Sequence, residues 1–229
     1  MKKSLLFLSF SFLSIFAFSQ NIGDYNYSIG VRGYNYMQMP NVLNQANDDK
    51  YLTSYFNSYI VKFNDNLFSY RLNGSFLKKD LRFSNNCESC DLVNGEMKDF
   101  AFKVGFEKRF NYSAIQPYVA FDLGYRSNKF KGFSNDLNAQ RMSIAQTLTN
   151  IKATKEGFTI TPTIGININL LKQLSIFAES NLEFFYSYER QERISQEDPD
   201  SRTLTKYHKG EYLINPVALG IQIHLNAKN

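Results

Sequence analysis

Between residues 158 and 170 the chain alternates apolar and polar positions with a period of two. Phe158, Ile160, Ile164, Ile166, Ile168 and Leu170 share one face, and the other carries only Thr, Gly and Asn. Successive strand side chains point to opposite faces, whereas a helix has no use for that period. Residues 217–225 repeat it, with Val217, Leu219, Ile221, Ile223 and Leu225 against Ala218, Gly220, Gln222 and His224. So do 67–77 (Phe68, Tyr70, Leu72, Phe76), 100–110 (Phe102, Val104, Phe106, Phe110) and 117–126 (Val119, Phe121, Leu123, Tyr125). Weaker versions lie at 23–37, 53–64 and 174–189. Eight antiparallel strands are therefore expected, most of them longer than the ~5–6 residues usual in soluble sheets.

The connections alternate in length. Long segments at 38–52, 78–98, 131–156 and 190–210 are separated by short ones at 64–66, 111–116 and 171–173. Membrane barrels have this rhythm, with short periplasmic turns and long outer loops. Starting on a long loop places both chain ends on the periplasmic side. Within 131–156, Met142, Ile144, Ala145, Leu148 and Ile151 suit either a short amphipathic helix or strand extensions above a membrane. The segment 190–210 is charged and reads as a solvated loop.

The second faces of the strands decide which side points out. They combine Arg32, Arg71, Lys103, Glu107, Arg109, Asp122, Arg126, Glu179 and Glu183 with small polar residues. Mutually pairable charges suit the filled interior of an eight-stranded barrel, which leaves the apolar face to lipid. Aromatics at strand ends (Tyr34, Tyr36, Phe110, Tyr112, Tyr186, Tyr188, Tyr212) match interfacial girdles.

The N-terminus adds a destination. Met1-Lys2-Lys3 precedes an apolar run, Ser4 to Phe18, that is too short for a stable membrane anchor and ends in small residues at Ala17 and Ser19. This is the pattern of a secretory signal peptide over 1–19, leaving 20–229 as a single domain. Its removal lowers the formal charge of +5 by two, so the mature chain is only mildly basic. Nucleic acid is a poor partner for such an exported chain. The 229 residues include 21 Phe and 15 Tyr but no Trp, and mean hydropathy is −0.36, a balance suited to strands with one greasy and one polar face.

The order of strands, turns and loops resembles the small eight-stranded outer-membrane barrels of Gram-negative bacteria, the OmpA-like and OmpX-like group. Gln116-Pro117-Tyr118-Val119-Ala120-Phe121-Asp122-Leu123-Gly124-Tyr125 is similar to the strand that follows the second turn in such domains. The resemblance implies an all-β, up-and-down transmembrane barrel in the outer membrane. Its partners would be outer-membrane lipid, the outer-membrane assembly machinery and a possible surface ligand reached through the loops. A monomer without cofactor or metal is expected. The chain departs from the group at its end, where Leu225 is followed by Asn226-Ala227-Lys228-Asn229 rather than by a terminal aromatic.

Few residues carry chemistry. Cys87-Glu88-Ser89-Cys90 lies among acids in a polar loop, where an oxidising exterior favours a local disulfide over a redox pair. The eight charges Arg32, Arg71, Lys103, Glu107, Asp122, Arg126, Glu179 and Glu183 form a candidate lumen network, read as a polar plug with a solute path as the alternative. A lipid-modifying enzyme would need a His beside a nucleophile. His224 is expected in the lumen near the periplasmic end, and His208 in the fourth loop with Ser201, Asp198 and Asp200. A narrow conduit for small solutes or hydrophobic molecules, a lipid A-modifying barrel and a soluble lipocalin-type barrel stand as the rival readings.

Overall fold

The computed structural model describes residues 25–43, 51–84, 91–111, 113–136, 148–195 and 201–227. The leader expected at 1–19, the Cys87–Cys90 pair and Asp198 and Asp200 lie outside the described residues.

The described chain is all-β. Its strands are β1 (Tyr25–Gln38), β2 (Tyr51–Ser54), β3 (Ser58–Asp65), β4 (Phe68–Ser84), β5 (Asp91–Arg109), β6 (Ile115–Asp136), β7 (Leu148–Leu171), β8 (Leu174–Ser195) and β9 (Arg202–Ala227). All pairings are antiparallel between neighbours, and β1 also pairs with β9, which closes the sheet into a ring. β2 and β3 lie end to end along the same flank of β1, opposite Asn35–Gln38 and Tyr27–Arg32 respectively. The chain breaks between them at residues 55–57, where Phe56 has φ 50°. Nine segments thus fill the eight places that the alternation predicts.

Short turns join β3 to β4, β5 to β6 and β7 to β8 at one end. In the first, Asn66 has φ 52°, a left-handed conformation that Asn tolerates better than most residues. The rung that leaves this turn at Phe68 passes Lys108 and Val119 to Ile164, well inside β7. That climb is the stagger a tilted, closed barrel requires.

The strands run far beyond the predicted limits. Segments read as the loops 78–98, 131–156 and 190–210 are mostly ladder: β4–β5, β6–β7 and β8–β9 stay paired out to Ser84/Leu92, Asn135/Leu148 and Ile194/Arg202. His208 accordingly stands on β9 rather than in a loop. The physical reason is an inversion of polarity along each strand. On β4, Phe68, Tyr70, Leu72 and Phe76 point outward, and the next outward positions are Lys78, Asp80 and Arg82. The inward face switches the other way, from Ser69, Arg71 and Asn73 to Leu77 and Leu81, which pack against the upper core. β5 and β7 switch likewise. A strand leaving lipid for water exchanges its greasy face, so an alternation followed on one face alone appears to end there.

The interior therefore has two fillings. Charged and polar side chains occupy the turn-side half. Above them an apolar cluster joins Met37, Met39, Val42 and Leu43, which fold into the mouth, to Val93, Met97, Phe130, Ile151 and Ala153 on the walls. Outside, an apolar band runs around the ring, with Ile164 65% exposed near the middle of its height on β7. A band of that extent has lipid as its natural solvent. Ile164→Arg places a charge there at a cost of roughly 2–4 kcal/mol. The folded, heat-modifiable fraction recovered in lipid vesicles should fall sharply, while Thr163→Ser on the opposite face leaves it unchanged.

Candidate functional site

The site is the lumen, and its residues are placed by strand parity. Ser, Thr and Gly on the inward faces leave room for a few long charged side chains. Glycines pair across the ladder with large rings: Tyr118 lies over Gly165 and Phe177 over Gly220, where any Cβ would collide with the ring. These small–large pairs let two aromatic residues enter a narrow interior.

At the turn end, His224 Nδ1 is 2.8 Å from Ser28 Oγ and its Nε2 is 3.0 Å from Ser175 Oγ, and its ring stacks on Tyr25. Asn64 donates to Ser28 Oγ at 2.8 Å and accepts from Ser69 Oγ at 2.7 Å. Both histidine nitrogens are thus tied to buried hydroxyls, and among the described residues no carboxylate hydrogen-bonds to either one.

Arg71 stands at the centre of the next layer, its side chain fully buried. Its guanidinium reaches Glu179 at 3.0 Å, Glu107 at 3.2 Å and Asp122 at 3.2 Å. Glu179 also binds Arg32 at 2.7 Å and accepts from the Tyr118 hydroxyl at 2.8 Å. Lys62 closes the group, 2.7 Å from Glu107 and 5.1 Å from the Tyr118 ring centroid. Higher up, Glu183 pairs with Lys103 and, at 2.6 Å, with Arg126. Arg126 in turn forks onto Asp99 at 2.9 and 3.0 Å. Near the mouth, Lys155 joins Glu189 at 3.1 Å and Glu211 at 2.9 Å.

All eight charges expected in the lumen lie there: Arg32, Arg71, Lys103, Glu107, Asp122, Arg126, Glu179 and Glu183 each join an ion pair. Lys62, Asp99, Tyr118, Lys155, Glu189 and Glu211 complete the network without having been foreseen. Asp99 keeps phase with Ala101 and Lys103, and Lys155 with Thr159 and Thr161, so their parity held the signal.

The two histidines do not meet. His208 is outside the barrel, stacked on Tyr186 at 5.8 Å, while His224 is inside. Ser201 precedes His208 by seven positions along an extended run, about 23 Å at the strand rise, which removes that nucleophile–base pair. Among the described residues no group of three His, Cys, Asp or Glu could hold a metal ion.

A cavity of about 60 Å³ remains beside the middle layer, bordered by Arg32, Asn73, Lys103, Asp122, Thr161 and Glu183. At roughly 10–15 Å³ each it accommodates a few waters. Both amide atoms of the buried Asn73 lack a protein partner and can use them. The lumen is a filled interior with one water-sized chamber described beside its middle layer.

No protein-family model and no curated sequence matches the chain. Its fold is shared with a major outer-membrane protein of Thermus thermophilus, at 9% identity and a TM-score of 0.52, over 87% of this chain and 99% of that one. It is also shared with the outer membrane protein OprG of Pseudomonas aeruginosa, at 10% identity and a TM-score of 0.50, over 90% and 100%. The chain thus has the fold of outer-membrane β-barrels.

Removing one member of a buried ion network leaves its partners charged and unpaired, at a cost of about 3–5 kcal/mol. Arg71→Met leaves Glu107 to Lys62, Glu179 to Arg32 and Asp122 to the more distant Lys103 and Arg32, and should lower the urea midpoint of the vesicle-embedded protein accordingly. Adding Glu179→Gln should restore part of the loss.

Proposed function

We propose that the chain is an integral outer-membrane barrel without enzymatic activity, closed to free diffusion, whose working part is the wall and loops it raises above the membrane. The observation that carries this reading is the inverted polarity of the barrel, greasy outside and ion-paired inside, with strands that continue as a hydrophilic wall beyond the apolar band. An ordinary soluble barrel of the lipocalin kind has the opposite arrangement. The non-enzymatic reading rests on His224 lying inside at the turn end with no carboxylate bonded to it among the described residues to complete a triad with its serines, and on His208 standing on the outer face, away from it. A structural or surface-interaction role follows, since a plugged lumen leaves the outer wall as the described surface open to partners.

The water-sized chamber beside Arg32 and Asp122 favours a second reading, a narrow conduit. Two measurements separate them. The protein should fractionate with outer membrane, need detergent for extraction and migrate faster on gels when unheated; recovery in the periplasm or medium sinks the membrane reading. In planar bilayers it should hold conductance at baseline. Steady unitary currents from the unaltered protein would turn the choice to the conduit.

A further inference from the structure

The ladder brings like charges together at one height on the outer wall. Lys78 pairs in register with Lys98, and Lys98 with Lys129, so three lysines stand side by side on β4, β5 and β6. Their side chains are each about 55% exposed. Directly below on β4 and β5 are Phe76 and Phe100, the uppermost members of the apolar band there. Two residues along a strand is about 6.6 Å, so the lysines begin where lipid tails end. Lys131 and Lys152 form the next pair above, on β6 and β7.

Folding alone disfavours this rung, because like charges on facing strand positions repel. The carboxylates within reach answer it only in part. Glu96 is shared between Lys78 at 2.6 Å and Lys98 at 3.1 Å, and these hydrogen bonds hold it below the usual carboxylate range. Glu156 lies 3.5 Å from Lys129. With Asp80 and with Glu192, which stands opposite Lys152 and is bound by Arg202 at 2.7 Å, four carboxylates face five lysines and an arginine, and the surplus is positive at the level of lipid headgroups.

We propose that this face of β4–β6 is a docking surface for the phosphate-bearing headgroups of outer-leaflet glycolipid. Lysine ammonium groups suit such a ligand as mobile point charges above an aromatic step that meets its acyl chains. The proposal rests on the membrane reading above.

The test uses the full chain folded in detergent, titrated with lipopolysaccharide by native mass spectrometry. A K78Q/K98Q/K129Q variant should bind at least about fivefold more weakly, since each cation near an anionic surface contributes on that scale. Dephosphorylated lipopolysaccharide should bind the unaltered protein as weakly and the variant no worse. Glu96→Gln should tighten binding, while Lys172→Gln in the β7–β8 turn at the opposite rim leaves it unchanged. Equal binding by the triple variant overturns the proposal, as does an undiminished loss with dephosphorylated lipid. Displacement by millimolar inorganic phosphate would also overturn it, assigning the rung to a soluble anion. Insertion into plain phosphatidylcholine vesicles and heat-modifiable migration of every variant separate these results from a failure of the barrel itself.

Discussion

A strand in hydrocarbon has no water to satisfy its peptide groups, so every N–H and C=O at that depth needs another strand. The β1–β9 pairing meets this demand by joining the first strand to the last over most of the length of β1. The departures from a complete ladder fit the same rule. β2 pairs with β1 alone, and β4 above Phe76 pairs with β5 alone, so two edges stand open on that flank among the described residues. The final link between the β3 and β4 sides is Phe76 N–H to Asn57 O at 2.9 Å, at the top of the apolar band. Beyond that point water serves both edges, and the ring no longer has to close.

Closure forces the remaining design inward. Eight strands enclose too little space for a water column yet must turn one face away from lipid. Mutual pairing fills that space. Arg71 holds three carboxylates that would otherwise repel one another, and Arg32 and Lys62 balance the outer members of the group. Such pairs add little net stability against an apolar filling of the same volume. They do bind β1, β3, β4, β5, β6 and β8 across the lumen, which cross-braces the ring. Higher up, where the outer face turns polar, an apolar core capped by Met39, Val42 and Leu43 shares the interior with the Lys155–Glu189–Glu211 triad.

The ring and its eight lumen charges could be read from the chain because one rule governs both: in lipid, parity assigns each side chain to a solvent. Thr159, Thr161 and Thr163 against Ile160 and Ile164 leave no ambiguity. The rule reverses at the membrane surface. Leu77, Leu81, Met97 and Ile151 therefore looked like parts of loops when they were the inward face of continuing strands. Asp99, Lys155 and Glu211 were missed with them. Lys62 escaped for another reason, since Ile60 shares its inward face and blurs the alternation of β3. Partner choice within the lumen also lies beyond a linear reading, because Arg71 and Glu179 meet across the barrel from strands far apart in sequence.

The cross-braced lumen also sets how such a chain can change over generations. Outward residues of the apolar band need only be apolar, so Ile160 or Leu123 can be exchanged among apolar types one step at a time, with little consequence. Arg71 has no such freedom, for three acids share it at once. A change at one interior charge therefore calls for a compensating change at its partners. The fold thus asks little of the wall beyond its greasiness and much of the filling beyond its charge, and barrels with 9–10% identity to this one share the fold.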